Sequence, residues 1–508
     1  MSRKVLTTPY IVWGAAFIIL PLFMVLYYGC TGSDGSFTLS NITAMADSVH
    51  YKAFWNSVWI ALASTLICLV ISYPLAYILS KGKHRGSGIV IMLFILPMWI
   101  NFLLRVLALQ VILSKTGILN AILGFFGLPL QKLMYTKGAV LVGMVYDYIP
   151  FMILPIYNAL CKIDKDVIEA AHDLGASARV TFQKIIIPLS LPGVISGIIM
   201  VFIPSISEFV VADILGGSKV LLFGNVIDQE FNVANNWNLG SGLSIVLMIF
   251  IFISMAIMNR HASEEGQHAM VKAKSFIEKF YVAFIGFLLY APLLVLFVCS
   301  FNDSKSRTVW GGFTLHWYTD LFQNEEVLSA VRTSLLLTTL AALIATLIGT
   351  LACIGMTAMK LRFQKVMEGL SNIPLLNADI VTGVAIMLLF VHFMSLGFTS
   401  MLIAHVTLGL PYIILNVMPR FQQLDKNVYE AAQDLGASAV YAFVKVVLPE
   451  IIPGILSGFF FAFTVSMDDF VVTYFTRERE STRFPQCFTS SLEEESTHRC
   501  MHFQPFYS

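Results

Sequence analysis

The nine-residue stretch EAAHDLGAS at residues 169–177 occurs again as EAAQDLGAS at residues 430–438. The two stretches differ at one position and are 261 residues apart. The same offset pairs Pro150 with Pro411, Asp164 with Asp425, Pro188 with Pro449, Pro192 with Pro453, Gly197 with Gly458 and Glu208 with Asp469. A register that extends so far beyond the nine residues indicates two copies of one fold in a single chain.

The composition indicates a membrane protein. Apolar residues make up 57% of the chain and charged residues 12%, whereas soluble domains carry about 25% charged residues. Eleven mainly apolar windows are long enough to cross about 30 Å of hydrocarbon as helices. They lie near residues 10–29, 57–80, 89–113, 138–158, 190–213, 241–258, 280–300, 331–357, 368–393, 398–418 and 452–475. We therefore predict an all-α polytopic membrane protein.

The basic residues predict the orientation of the chain. With a cytoplasmic amino terminus, 19 Lys and Arg residues fall in inside segments and 7 in outside loops. This excess is the positive-inside bias of membrane proteins. Both repeated stretches then face the cytoplasm, so the repeat is parallel. We predict a multi-pass membrane protein with a retained first helix and a cytoplasmic amino terminus.

Several classes of site have no sequence support. The seven cysteines are scattered without the spacing of a zinc site or a disulfide framework. The net charge is +1 and the basic residues follow membrane side, so no nucleic-acid partner is predicted. The phosphate-binding sequence G-x-x-x-x-G-K-[ST] does not occur. We predict no cofactor, no metal ion and no ATP hydrolysis by this chain itself.

A polar stretch separates the two copies. HASEEGQHAMVKAKS at residues 261–275 contains no apolar span and is interpreted as a cytoplasmic linker. It joins a first half at residues 1–260 to a second half at residues 276–476. The polar residues 477–508 form a tail that we predict to be disordered.

Each repeated stretch predicts a short helix that ends in a turn. Glu-Ala-Ala is a run of helix formers, Asp173 lies four residues after Glu169 on the same face, and Gly175 allows the chain to turn. A single copy is typical of an ordinary cytoplasmic helical hairpin. Two nearly identical copies on one membrane face instead favour docking to a two-fold symmetric partner. The predicted docking residues are Glu169, Ala170, Ala171, Asp173, Gly175 and Ala176, with Glu430, Ala431, Ala432, Asp434, Gly436 and Ala437.

The motif Glu-Ala-Ala-x-x-x-Gly, followed after nine residues by Ile-x-Ile-Pro at 185–188, resembles the EAA signature of binding-protein-dependent ABC importer permeases. The second copy ends in Val-x-Leu-Pro at 446–449 and resembles it too. The departures are aliphatic: Ile187 stands where the signature usually has Leu, and Val446 where it has Ile. We call residues 169–177 the first EAA loop and residues 430–438 the second EAA loop.

Longer stretches narrow the resemblance to spermidine/putrescine importers. Residues 1–260, with VYDYIP and SEFVVADILGG, resemble one permease subunit, and residues 276–476, with SFNDSKS and VSMDDFVV, resemble the other. The resemblance implies two parallel repeats of the type I ABC importer permease fold. It also implies a bacterial-type plasma (inner) membrane, two cytoplasmic ABC ATPase subunits on the EAA loops and an extracytoplasmic polyamine-binding protein. The family's twelfth helix has no counterpart after Thr476, which we interpret as a frameshifted or truncated reading frame.

Acidic residues in or beside the predicted spans are candidates for binding the ammonium groups of a polyamine, because a charge within the bilayer requires a partner or a function. Aromatic faces near them favour bound cations further. The predicted pathway residues are Trp99, Asp147, Tyr148, Glu208, Asp379, Asp468 and Asp469. Two other interpretations of these carboxylates are open. In one, Arg105 in the third span neutralises Asp147 as a buried pair; in the other, the carboxylates near span ends are interfacial and hydrated.

Two other functional classes are alternatives to an importer. A secondary transporter or a channel for a small cation also uses repeats and buried carboxylates, but it does not need two EAA loops on one membrane face. A membrane-embedded enzyme needs a convergent set of reactive side chains, and the sequence suggests none.

Overall fold

The computed structural model describes residues 6–81, 89–259, 276–304, 310–376, 379–424 and 431–477. Within these ranges the regular structure is helical, and β pairing is limited to two isolated bridges, Thr31 with Phe37 and Asn302 with Phe313. The predicted linker at 261–275 and all of the predicted tail after Arg477 lie outside the described residues.

Eighteen helices of six or more residues organise the described chain. They are α1 Thr8–Gly29, which contains a π-helical turn, α2 Ser48–Lys81, α3 Ile89–Ile95, α4 Phe102–Leu113, α5 Ile118–Phe125, α6 Lys137–Lys162, α7 Lys165–Asp173, α8 Ile187–Ser207, α9 Phe223–Asn232, α10 Trp237–Asn259, α11 Phe276–Cys299, α12 His316–Gln323, α13 Glu325–Met356, α14 Leu361–Leu376, α15 Asp379–Phe393, α16 Phe398–Gln423, α17 Leu448–Asp468 and α18 Val471–Thr476.

The number of membrane spans agrees with the sequence. Among the described residues, ten helices are long and apolar enough to cross a bilayer. The number is eleven if Leu361–Pro374 and Asp379–Phe393 form one broken span. The all-helical polytopic fold predicted from composition is confirmed.

Four predicted spans are interrupted where the sequence suggested continuous helices, and one of them is the ninth, which is divided between α14 and α15. The third is broken between α3 and α4, where the Asn101 side chain accepts hydrogen bonds from the amides of Leu103 and Leu104 and starts a new helix. The fifth and eleventh end at Ser207 and Asp468, and helical structure resumes after two residues in each case. Window hydropathy misses these breaks because the capping residues are short interruptions in apolar sequence.

The chain packs as two compact units. The terminal unit comprises Met1–Tyr28 and Leu321–Ser508, and the central unit comprises Gly29–Asp320. Helix α1 thus packs with the second half of the sequence, and α11 packs with the first. The predicted halves follow the sequence repeat, whereas the compact units follow side-chain packing, so the two divisions differ by one helix each. The halves themselves stay a prediction.

Specific contacts hold these helices in their units. In the terminal unit, the Tyr10 hydroxyl hydrogen-bonds Ser371, and Trp13 Nε1 donates to Thr407 Oγ1 at 3.0 Å. In the central unit, the hydroxyl of Tyr281 in α11 donates to the Ile71 carbonyl at 2.8 Å. Hydrogen bonds of this kind join helices inside apolar surroundings, where no water competes.

Each unit is built around the same three-helix core. Helices α2, α6 and α8 pack together in the central unit, and α13, α16 and α17 pack together in the terminal unit. Glycines let the last two helices of each core approach closely. A Cβ at Gly193 would lie 2.4 Å from the Ala159 Cβ, and one at its repeat mate Gly454 would lie 2.9 Å from the Asn416 carbonyl oxygen. Small residues at helix crossings are typical of membrane bundles.

Candidate functional site

The first EAA loop is the end of α7 and the turn that follows it. Asp164 starts the helix by accepting a hydrogen bond from the Asp166 amide at 3.2 Å. The helix ends with the Leu174 amide donating to the Ala170 carbonyl and the Ala176 amide donating to the Ala171 carbonyl. Gly175 between them has φ +80°, a left-handed conformation that favours glycine. The predicted helix and turn are therefore present.

The second EAA loop has the same turn. The Leu435 amide donates to the Ala431 carbonyl, the Ala437 amide donates to the Ala432 carbonyl, and Gly436 has φ +89°. Glu430 lies outside the described residues. The repeated sequence therefore folds into the same local geometry in both units.

The polar and small residues of the EAA loops are largely accessible. In the first loop Ala171 is buried and Ala176 is half-buried, and in the second loop Ala432 and Ala437 are half-buried. The exposed members of the predicted docking set are Glu169, Ala170, Asp173, Gly175, Ala431, Asp434 and Gly436. The two loops thus each present a small, partly acidic surface.

A leucine at the tip of each loop was not among the predicted docking residues. Leu174 is 88% exposed and its repeat mate Leu435 is 90% exposed. The sequence contained a signal for them, since DLG is identical in both copies and places one apolar residue between an acid and a glycine. An exposed apolar residue, repeated in register, is typical of a contact surface.

The repeated geometry continues beyond each loop. A π-helical turn spans Phe182–Ile186 and another spans Phe443–Val447, and each precedes the proline of its motif by two residues. Pro188 and Pro449 lack an amide hydrogen, and the proline ring clashes with the carbonyl four residues earlier. A wider turn accommodates this clash, so the Ile-x-Ile-Pro and Val-x-Leu-Pro endings determine how each loop joins its long helix.

Glu208 and Tyr148 are in direct contact in the central unit. The Tyr148 hydroxyl donates to Glu208 Oε2 at 2.8 Å. Glu208 Oε1 accepts from the Val210 and Val211 amides at 2.9 and 3.1 Å. The carboxylate therefore caps the chain where helical structure resumes after α8, and both side chains are buried. The structure brings together these two residues of the predicted pathway set.

Asp469, the repeat mate of Glu208, has an equivalent capping role in the terminal unit. Its Oδ2 accepts from the Thr473 amide at 2.9 Å and from the Thr473 hydroxyl at 3.0 Å. Its Oδ1 lies 3.3 Å from the Val472 amide. His405 of α16 is also close, with Nε2 3.7 Å from Oδ2. The sequence analysis did not single out His405, although an ionisable residue within an apolar span is itself a signal of function.

Asp147 forms a buried ion pair. Arg105 Nη1 of α4 lies 3.2 Å from Asp147 Oδ1 of α6, and the two side chains are 5% and 2% exposed. The interpretation in which Arg105 neutralises Asp147 therefore agrees with the geometry.

The remaining predicted pathway residues lie at helix ends. Asp379 is the first residue of α15 and is exposed, so it lies at a break and not within a continuous ninth span. Asp468 is the last residue of α17 and is half-buried. Trp99 ends the one-turn 3-10 helix Leu96–Trp99 that precedes α4.

Comparison with known proteins places the repeat in a family. Residues 69–263 and residues 269–480 each match the family described as "Binding-protein-dependent transport system inner membrane component". The two matches together cover most of the chain and correspond to the two copies of the repeat.

Curated relatives each match about half of the chain. The "Spermidine/putrescine transport system permease protein PotB" of Escherichia coli (strain K12) is 39% identical over 254 residues, which are 48% of this chain and 92% of that protein. The corresponding PotC protein of Haemophilus influenzae is 38% identical over 188 residues, 37% of this chain and 73% of that protein. A solved bacterial alginate ABC transporter, in complex with a periplasmic protein bound to alginate pentasaccharide, is 15% identical with a TM-score of 0.43, covering 51% of this chain and 93% of that one.

The repeated sequence, the equivalent three-helix cores and the two family matches agree with one another. The chain belongs to the family of inner membrane components of binding-protein-dependent transport systems and carries two copies of the permease domain.

Proposed function

We propose that this chain is the fused transmembrane permease of an ATP-driven importer that carries polyamines into the cell. The observation that carries the proposal is the pair of EAA loops, each with the same turn and the same exposed leucine. The relatives named as spermidine/putrescine permeases support polyamines as the substrate class. The amino terminus is cytoplasmic in this proposal, as the distribution of basic residues predicts.

The EAA loops couple the chain to two separate ABC ATPase subunits. Each loop offers an apolar tip at Leu174 or Leu435, next to the accessible carboxylate of Asp173 or Asp434. An apolar tip inserts into a groove on the partner, and the carboxylates pair with basic groups around it. Because the loops occur twice in equivalent form, they suit a partner with two equivalent docking sites. ATP hydrolysis in that partner then moves the helices between outward-open and inward-open arrangements.

The substrate is a flexible chain of ammonium groups delivered by an extracytoplasmic polyamine-binding protein. Ammonium groups bind carboxylates through charge-assisted hydrogen bonds and bind aromatic faces through cation–π contacts. In the central unit Glu208 supplies a carboxylate and Tyr148 an aromatic face. In the terminal unit Asp469 and neighbouring Asp468 supply carboxylates. The other proposed pathway residues are Trp99, Asp147 and Asp379.

Radiolabelled spermidine and putrescine uptake tests the proposal in cells that produce the chain with its ATPase and binding protein. Two double variants separate the roles: Glu208→Gln with Asp469→Asn, and Glu169→Ala with Glu430→Ala. We expect the first to lose uptake while the ATPase still co-purifies with the chain. We expect the second double variant to lose both uptake and co-purification of the ATPase.

Two results would contradict this function. If both double variants took up polyamine at the rate of the unmodified chain, the assignments of the pathway residues and of the docking residues would be wrong. Uptake driven by an ion gradient, without any ATPase present, would identify a secondary transporter instead.

A further inference from the structure

His405 lies in α16 of the terminal unit and is only 1% exposed. Both of its ring nitrogens have hydroxyl partners. Nδ1 lies 2.9 Å from Ser466 Oγ of α17, and Nε2 lies 2.8 Å from Thr473 Oγ1 of α18. The imidazole therefore joins three helices where α17 ends and α18 begins.

The hydrogen-bond directions follow from the single hydroxyl proton of Thr473. That proton is donated to Asp469, with Thr473 Oγ1 3.0 Å from Oδ2 and 3.3 Å from the Asp469 carbonyl. Thr473 Oγ1 must then accept from His405 Nε2. That nitrogen carries a proton in the charged ring and in the neutral tautomer that is protonated at Nε2. Nε2–H, the threonine hydroxyl and the carboxylate thus form one directed chain.

The central unit achieves a similar arrangement with a different residue. There the Tyr148 hydroxyl donates directly to Glu208, the repeat mate of Asp469. In the repeat register Tyr148 corresponds to Gly409, and His405 corresponds to Met144. The two polar groups therefore come from equivalent helices at positions one helical turn apart. A carboxylate at the same place, held in each unit by a different aromatic side chain, argues that its orientation matters.

We propose that His405 is a positioning residue for the polyamine pathway, orienting the Asp469 carboxylate through Thr473 so that it receives an ammonium group. Glu208 has a longer side chain and receives its donor directly, whereas Asp469 is shorter by one methylene and reaches His405 through an intervening hydroxyl. Loss of the imidazole releases the Thr473 hydroxyl to turn away from Oδ2, and the carboxylate then loses one of its orienting donors. This inference rests on the proposed import of polyamines.

Kinetics of spermidine uptake test the inference, using the full chain with its ATPase and binding protein. We expect His405→Leu to raise the KM for spermidine about tenfold while the maximal rate stays within about twofold. His405→Gln is expected to restore most of the affinity, because its amide N–H reaches the position of Nε2. His392→Gln, which changes an exposed histidine of α15, is the matched control and is expected to leave KM unchanged.

Two uptake results would overturn the inference. One is a lower maximal rate at unchanged KM in His405→Leu, which indicates a purely structural role. The other is equal behaviour of the Leu and Gln variants, because a positioning role requires the retained donor to matter.

A double-mutant cycle separates this inference from the proposed function. The apparent unfolding temperature of the purified chain is measured for His405→Leu, Asp469→Asn and the combination. We expect the unfolding temperature of the double variant to fall by less than the sum of the decreases in the two single variants, because either change breaks the same chain of hydrogen bonds. Strictly additive losses would overturn the positioning role even if the chain transports polyamines. If the unmodified chain takes up neither polyamine, the proposed function fails, and this cycle still decides whether His405 orients Asp469.

Discussion

Arg105 Nη1 lies 3.2 Å from Asp147 Oδ1, and both side chains are almost fully buried between α4 and α6. Removing one member of such a pair leaves the other charge uncompensated in an apolar interior, which costs about 3–5 kcal/mol. We therefore expect Asp147→Asn and Arg105→Gln each to lower the apparent unfolding temperature of the purified chain strongly. The double variant should recover much of the loss, since no charge is then left unpaired.

The exposed Arg332 of α13 provides the control for this prediction. Arg332→Gln removes the same charge from an accessible position and is expected to change the unfolding temperature little. If the double variant is as unstable as the worse single variant, the pair does not neutralise itself in the way the geometry indicates. Uptake by the double variant adds a second result: near-normal transport would exclude a substrate-binding role for Asp147.

The same buried pair shows how much of the candidate site could be predicted from the sequence. Asp147 was recognisable as a charged residue within a span, and Arg105 was recognisable as an alternative partner. Sequence alone did not decide between substrate binding and pairing, because the two residues are 42 positions apart and the packing of α4 on α6 has no local signature. The repeat, the helical class and the turn at Gly175 were predicted because each depends on local sequence.

The capping roles of Glu208 and Asp469 were beyond local prediction for a different reason. Both residues lie in apolar windows that read as continuous spans, and the break appears only when a carboxylate accepts backbone amides one turn ahead. Their repeat register identified them as equivalent, but the partners Tyr148 and His405 differ between the copies. A register comparison finds what the copies share and misses a partner present in only one of them.

Leu174 and Leu435 are expected to contribute most of the apolar contact with the ATPase. Transfer of one exposed leucine into a groove is worth about 1.5–3 kcal/mol. We expect Leu174→Ser or Leu435→Ser to weaken binding of the ATPase to the detergent-purified chain by at least tenfold, and the double variant to abolish co-purification. Phe125→Ser, which changes an 87% exposed residue of α5, is the matched control. Normal ATPase binding by the double leucine variant would show that the loop tips are not the docking surface.

Tyr148 is expected to affect substrate affinity through its hydrogen bond to Glu208. Tyr148→Phe removes the hydroxyl 2.8 Å from Oε2 and leaves the ring in place. Because hydrogen bonds to charged groups contribute about 1.5–3 kcal/mol, we expect the KM for spermidine to rise at least tenfold. The adjacent control is Tyr146→Phe, whose hydroxyl donates to the Leu289 carbonyl and not to a carboxylate. An unchanged KM in Tyr148→Phe, or an equal change in both variants, would contradict a specific role for this contact.

Gly193 is expected to tolerate a methyl group poorly, whereas Gly369 is expected to accept one. A Cβ at Gly193 would lie 2.6 Å from the Pro155 carbonyl oxygen, so α8 must move away from α6 to accommodate it. Overpacking of this kind costs about 1–3 kcal/mol. At Gly369 of α14 a Cβ meets no atom within 4 Å, and alanine improves helix propensity by up to about 1 kcal/mol. The unfolding temperature should therefore fall in Gly193→Ala and rise in Gly369→Ala. Equal shifts would show that the close approach of α6 and α8 does not limit the size of the residue at position 193.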